Sequence, residues 1–299
     1  MSDDRSSMIE ISGLVKRFGS QTVLDGINLE IYPGETMVIM GGSGSGKSPL
    51  LRHMIGTYTP DEGTVKLLGQ DLAMQDEEGL NAIRKQFGIL FQSGALFQSL
   101  TVAENVALPL EEHTDLDANI IDFMVKIKLE LVGLREASHK YPSQISGGMK
   151  KRAGLARALS LDPKILFYDE PSAGLDPVTS ASIDQLMIDL TRKLGVASVV
   201  VTHEMDSAFA IADRMAMLNK GKMIMVDRRE AYEALRDHPE DRLDELNEDQ
   251  QLIRQFLRGD PEGPMSETHS ENSYEADLLG PDLGKLHGGR SIQTTRRIK

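Results

Sequence analysis

The sequence predicts an α/β protein with a parallel sheet core. An antiparallel β region precedes the core, a helical subdomain is inserted into it and a C-terminal extension follows it. Three observations lead there. The compact apolar runs TMVIM (36–40), ILFYDE (165–170) and ASVVVTHE (197–204) have the length and character of strands buried on both faces. Between them lie helical patterns, such as the one in which Ile183, Leu186, Met187, Leu190 and Leu194 recur at three-to-four spacing. The length of 299 residues suits one large α/β domain or two small ones.

Taken in order, ISGLVKRFG and VLDGINLEIYPGE are short segments bounded by Gly or Pro and predict strands with turns. TMVIM runs into GGSGSGKS and then the helical pattern LLRHMIG. The stretch 93–160 is mostly helical in pattern, as in ANIIDFMVKIKLELVGL ending at Gly133, and predicts the inserted subdomain. Together these make a main domain over 8–240. Beyond it, LDELNEDQQLIRQFLRGDPEGP predicts one helix stopped by Gly259 and Pro261, within an extension (241–280) that is helical and then irregular. Residues 281–299 have the composition of a disordered tail. No motif recurs, so the chain carries one functional unit.

Composition narrows the function. Lys and Arg number 33 against 46 Asp and Glu, a net charge of −13, which opposes a nucleic-acid partner. From Asp227 to Gln250 ten acids face four bases, nearly half of that charge, and this run reads as a solvated face. There is no cysteine, hence no disulfide framework, thiolate zinc site or cysteine nucleophile. No apolar run approaches the roughly 18 residues of a membrane span. The N-terminus, MSDDRSSMIE, lacks the basic and apolar regions of a signal peptide. A soluble protein of the cytosolic side is expected.

The chemistry is carried by the segments that follow the strands. Gly41, Gly42, Ser43, Gly44, Ser45, Gly46, Lys47 and Ser48 fit G-x-x-x-x-G-K-[ST], between an apolar strand and a helix as this loop requires. The glycines let backbone N–H groups curl toward phosphate oxygens, and the following helix adds its N-terminal dipole. Lys47 supplies a charge for the β- and γ-phosphates and Ser48 a hydroxyl for Mg²⁺. Pro49 stands where such loops usually carry Thr. It removes an N–H and a hydroxyl, so the expectation is weakened, not abolished, nucleotide binding. Asp169 at the end of ILFY can hold Mg²⁺ through water, and Glu170 can orient and deprotonate an attacking water. His203 ends the next strand and, in this company, becomes a γ-phosphate contact.

The order of these motifs resembles the nucleotide-binding subunit of ABC transporters, over about residues 8–230. Gln92 in ILFQSG is similar to the family's Q-loop, and SQISGGMKKR (143–152) to its signature. YDEPSAGLDP (168–177) is similar to its Walker B segment and D-loop, His203 to its switch histidine, and Phe18 stands where an aromatic stacks on adenine. The resemblance implies ATP and Mg²⁺ as cofactors. It implies that Ser146, Gly147 and Gly148 contact the γ-phosphate held by a second copy, that Asp176 lies at the dimer seam, and that Gln92 senses Mg²⁺ or water. A head-to-tail dimer and a membrane permease follow as partners.

A narrower resemblance, to the ATPase of Mla-type phospholipid transport complexes, is carried by several further segments. These are Met149 in the signature, LFQSGALFQSLTVAENVALPLEEHTDL, KLELVGL, IRQFLRGDPEGP and SYEADLL. It implies an MCE-domain protein and a STAS-domain subunit as partners, a peripheral place on the cytoplasmic face of the inner membrane, and an extension that reaches the other copy. In SGALFQSL, Leu96, Phe97 and Leu100 are either core or a contact for a permease helix. Three other readings stand beside a lipid-transport motor. They are an ATPase for polar solutes such as amino acids, a non-transport ATPase of translation or DNA repair, and a binding-only subunit weakened by Pro49. The usual marks of the translation and repair class, two motif sets or a long coiled coil, are missing.

Overall fold

The computed structural model describes residues 6–267. β1 (Ile9–Phe18) and β2 (Gln21–Ile31) form an antiparallel pair. The TMVIM run is β3 (Thr36–Met40), followed by α1 (Lys47–Met54). Next come β4 (Glu62–Leu67), β5 (Gln70–Asp71), α2 (Glu77–Arg84) and β6 (Phe87–Leu90). The helical region holds α3 (Val102–His113), α4 (Ala118–Leu131) and α5 (Gly147–Ala158). The α/β alternation resumes with β7 (Ile165–Asp169), α6 (Pro177–Leu194), β8 (Ala197–Val201) and α7 (Met205–Ile211). β9 (Arg214–Asn219), β10 (Lys222–Arg228) and α8 (Arg229–Arg236) complete it.

The expected fold class is found. One sheet is antiparallel with order β2-β1-β4-β5; the other has order β10-β9-β3-β8-β7-β6 and is parallel except for the β10–β9 pair. Every residue of β3 and β8 is buried, which is why both read as unbroken apolar runs instead of alternating ones. Ile9 and Leu24 of the antiparallel sheet share one core with Ile39, Phe167, Val199 and Leu218 of the parallel sheet. Each such side chain contributes about 1.5–3 kcal/mol by leaving water.

Strand order places the chemistry. β8 lies between β3 and β7, and all three run parallel. Their C-terminal ends therefore open on one edge, where α/β sheets form ligand crevices. The loop after β3, the acids ending β7 and the histidine after β8 meet there.

In the helical region, α3 starts at Thr101 with a reciprocal capping box to Glu104. Asn105, fully buried, ties down the preceding loop: its side chain accepts from Phe97 N–H at 2.8 Å and donates to the carbonyls of Phe97, Leu100 and Thr101 at 2.9–3.1 Å. The loop divides accordingly. Leu96 is buried, Phe97 is exposed and Leu100 lies between.

A second compact unit starts at His238, against a main-domain end expected at 240. The single helix predicted there needs correction. A 3₁₀ segment (Glu240–Glu245) is separated by Leu246 and Asn247 from α9 (Glu248–Arg258). The cause is Asn247. Its side chain accepts from Gln250 N–H at 2.9 Å and the Gln250 side chain returns to Asn247 N–H at 3.0 Å, a helix-start signal set inside an amphipathic run. α9 does stop at Gly259, whose φ is +68°. The chain beyond is not all irregular, since α10 (Pro264–Glu267) adds a helical turn. Residues 268–280, including most of the expected irregular part and SYEADLL, and the tail 281–299 lie outside the described residues. Among the described residues no helix is long and apolar enough to cross a membrane.

Candidate functional site

The loop from Gly41 to Gly46 can close only as glycine allows. Gly41 has φ +150°, and a Cβ there would lie 2.2 Å from the Leu218 carbonyl oxygen, a backbone atom that cannot give way. Ser45 N–H bonds to Gly42 O at 3.2 Å, and α1 leaves the amides of its first turn without intrahelical partners. The Lys47 ammonium lies on the loop itself, donating to Gly41 O at 2.6 Å and Gly42 O at 3.0 Å. Its burial lowers its pKa, opposed by the nearby Glu170 carboxylate.

Pro49 falls at the third position of α1. There its missing N–H has no helical acceptor to lose, and the first intrahelical bond, Leu50 N–H to Gly46 O, forms at 2.9 Å. The Pro49 carbonyl accepts from Nδ1 of the buried His53 at 2.7 Å. The backbone objection to Pro49 therefore disappears, and the missing hydroxyl remains.

Across the edge, Asp169 ends β7 half-buried. Burial and then the adjacent Glu170 charge hold its carboxyl above the usual aspartate range. Glu170 turns the chain with φ +49° and is held from several sides. Its N–H donates to Val201 O at 2.9 Å, its carbonyl accepts from Lys151 Nζ at 2.9 Å and Ala173 N–H at 3.3 Å, and its Oε1 lies 2.8 Å from His203 Nδ1. The second carboxylate oxygen accepts from Thr202 Oγ1 at 3.2 Å. Glu170 and His203 are thus brought together, as neighbouring strand ends require.

Gln92 emerges two residues after β6, where Leu90 pairs with Tyr168, so it leaves the sheet beside the end of β7. Phe18, 46% exposed, ends β1 with its ring edge-on to Tyr58, centroids 5.6 Å apart.

Ser146 caps α5, accepting from Met149 N–H at 3.3 Å, and Asp176 caps α6, accepting from Val178 and Thr179 N–H at 3.1 and 3.0 Å. The Thr179 hydroxyl also donates to Asp176, and these bonds hold its carboxyl below the usual range. The neighbours of Gly147 and Gly148 are Leu175 and Thr179, not residues of the phosphate loop. Within one chain, then, the 146–148 segment meets the 175–179 segment, and Lys47 of the 41–47 loop lies near Glu170.

Two contacts were missed in the sequence. Thr202, in VVVTHE, touches Glu170 because β8 ends beside β7. Lys151 touches it because α5 folds under the β7 turn. Its spacing from Gly148 and Leu155, both buried on α5, is the signal that places it on the covered face.

The residues present suit a triphosphate and a hard cation. The Gly41 curl leaves room only for backbone, and a half-buried ammonium stands over it. Ser48, Asp169 and Gln92 offer oxygen donors alone, the set Mg²⁺ prefers when phosphates complete its shell. No cluster of three or more His, Asp or Glu among the described residues makes a self-sufficient metal cage.

Comparison with known proteins decides the family. The ABC transporter family profile matches residues 24–173. The chain belongs to the ABC transporter family. It is an ATP-binding, ATP-hydrolysing subunit of that family. It is 40% identical over 283 residues to a probable ribonucleotide transport ATP-binding protein, Mkl, of Mycobacterium leprae, covering 94% of this chain and 78% of that protein. It is 37% identical over 279 residues to the intermembrane phospholipid transport ATP-binding protein MlaF of Escherichia coli K12, covering 93% and 99%. Among solved ABC proteins, a dimeric ATP-binding cassette in a post-hydrolysis state with ADP and Pi is 31% identical with TM-score 0.68, covering 74% of this chain and 99% of that one. A Clostridium perfringens cassette described as part of the cbiONQ transporter complex is 28% identical with TM-score 0.72, covering 76% and 91%.

Proposed function

We propose that this chain powers phospholipid transport across or between the membranes of a Gram-negative-type envelope, working as a head-to-tail dimer on a membrane permease. The observation that carries the lipid reading is the end-to-end match to MlaF, which spans 99% of that protein. With 279 of 299 residues aligned, the match must include α9 and α10, outside the shared ATPase core.

Each residue then has a role that its setting supports. Phe18 stacks on the base; the 41–46 loop, the first turn of α1 and Lys47 hold the phosphates. Ser48, Gln92 and Asp169 would hold Mg²⁺, which when bound offsets phosphate charge. Glu170, oriented by His203 and Thr202, takes the proton of the attacking water. Ser146, Gly147 and Gly148 face the γ-phosphate of a second copy, with Asp176 at the seam. Gly147 is exposed and a Cβ there would meet Leu175 at an ordinary 3.5 Å, so this chain's own packing does not demand a glycine. A phosphate brought by another chain does. An MCE-domain protein and a STAS-domain subunit complete the proposed complex on the cytoplasmic face of the inner membrane.

The test is co-purification from membranes with identification of the companion chains and of any bound small molecule. A permease with an MCE-domain protein and phospholipid is expected. A solute-binding protein, or a bound ribonucleotide as cargo, overturns the lipid reading.

A further inference from the structure

Lys151 is a charged side chain in the wrong place for a solvated one. The residue is only 5% exposed, on the covered face of α5. Burying an ammonium is unfavourable unless it is paired and hydrogen-bonded. Burial does lower its pKa, against the fields of Glu170, Asp169 and Glu204. Its Nζ donates to the backbone carbonyl of Glu170 at 2.9 Å. That carbonyl belongs to a residue with φ +49°, a left-handed conformation that is strained for a non-glycine residue and persists only where neighbours enforce it. β8 holds the other side of the same residue through Val201 O. The left-handed turn aims the Glu170 side chain at Thr202 and His203.

From this geometry we propose that Lys151 is a positioning residue for ATP hydrolysis. It fastens α5, the helix that Ser146 begins, to the backbone of Glu170 and so keeps the general base aimed. The proposal rests on the reading of Glu170 as that base. Lys151 acts through Glu170 and touches no reacting atom. Its loss should therefore lower turnover and leave nucleotide binding alone.

The test compares full-length Lys151→Met, Lys151→Arg, Glu170→Gln and the double variant Lys151→Met/Glu170→Gln. Lys151→Met should lower kcat by a factor of about 10–100, the scale of a displaced catalytic group, with KM for ATP within about twofold. Lys151→Arg, which can still reach the carbonyl, should recover most of kcat. The double variant should still accumulate as an ATP-bound dimer, as is expected of Glu170→Gln alone, because the 146–148 end of α5 is intact. If Lys151→Met keeps its kcat while Glu170→Gln is inactive, the positioning role is wrong and the base stands. If the double variant no longer traps the dimer, Lys151 serves the fold of the signature helix instead, and the proposal falls. Normal turnover by Glu170→Gln removes the reading beneath it. Should Lys151→Met not fold, Lys151→Ala, which also removes the donor, carries the same comparison.

Discussion

Glu170 combines a strained backbone with a carboxylate committed to Thr202 and His203, just after β8, and that makes its function separable from its stability. Gln in its place keeps the shape and loses the proton acceptor. Glu170→Gln should lower kcat by about 10²–10⁴, the usual cost of removing a general base, while the ATP-bound dimer accumulates on size exclusion. Pro49 poses the opposite case, a departure from pattern with no backbone penalty. What a Thr would add is one hydroxyl donor to a phosphate, worth about 1.5–3 kcal/mol at best, so Pro49→Thr should tighten ATP by about tenfold or somewhat more. Affinity unchanged in equilibrium binding would show that the hydroxyl has no role here. Gln92, Glu170 and His203 were legible in the sequence because each follows a strand, so chain order fixes its address. Thr202 and Lys151 were not, since their contacts depend on how β8 and α5 approach a turn that sequence spacing does not describe.

At the scale of elements, the meeting of α5 and α6 separates two adjacent glycines that look alike in the sequence. A Cβ on Gly148 would fall 2.4 Å from Thr179 Cγ2, and Thr179 is itself anchored to Asp176, so it cannot turn away freely. A Cβ on Gly147 meets nothing closer than 3.5 Å. Gly148→Ala should therefore destabilise the protein by about 1–3 kcal/mol, as overpacking does, read as a lower Tm. Gly147→Ala should hold Tm or raise it slightly, since Ala is the better helix former, yet lower ATPase activity at least about tenfold by crowding the partner's phosphate. Equal losses of Tm in both would mean that this helix end is merely structural. The elements were legible in proportion to how fully they are buried. β3, β7 and β8 stand out as apolar runs. β9 and β10, rich in Met and poor in β-branched residues, give a weaker strand signal, and a single Asn decides that α9 starts where it does.

At the scale of the whole molecule, one chain places the 41–47 loop beside Glu170, while the 146–148 segment, proposed as the signature, packs against Leu175 and Thr179 instead. A composite site supplied by two copies is the arrangement that uses both, and a two-fold pair closes at two because its interface is self-complementary, each copy giving and receiving across the same patch. This has a quantitative consequence that no single-chain site shares. On the proposed roles, Ser146→Arg blocks the signature and Glu170→Gln removes the base, so each variant alone should be inactive. Mixed in equal amounts and allowed to exchange, half of the dimers carry one of each. In those, one site pairs an intact base with an intact signature, and the other carries both defects. Turnover should therefore return to about one quarter of the unmodified level, measured as phosphate release after exchange. Activity that stays at background after mixing, with exchange verified by a tagged chain, would mean that each chain builds its site alone.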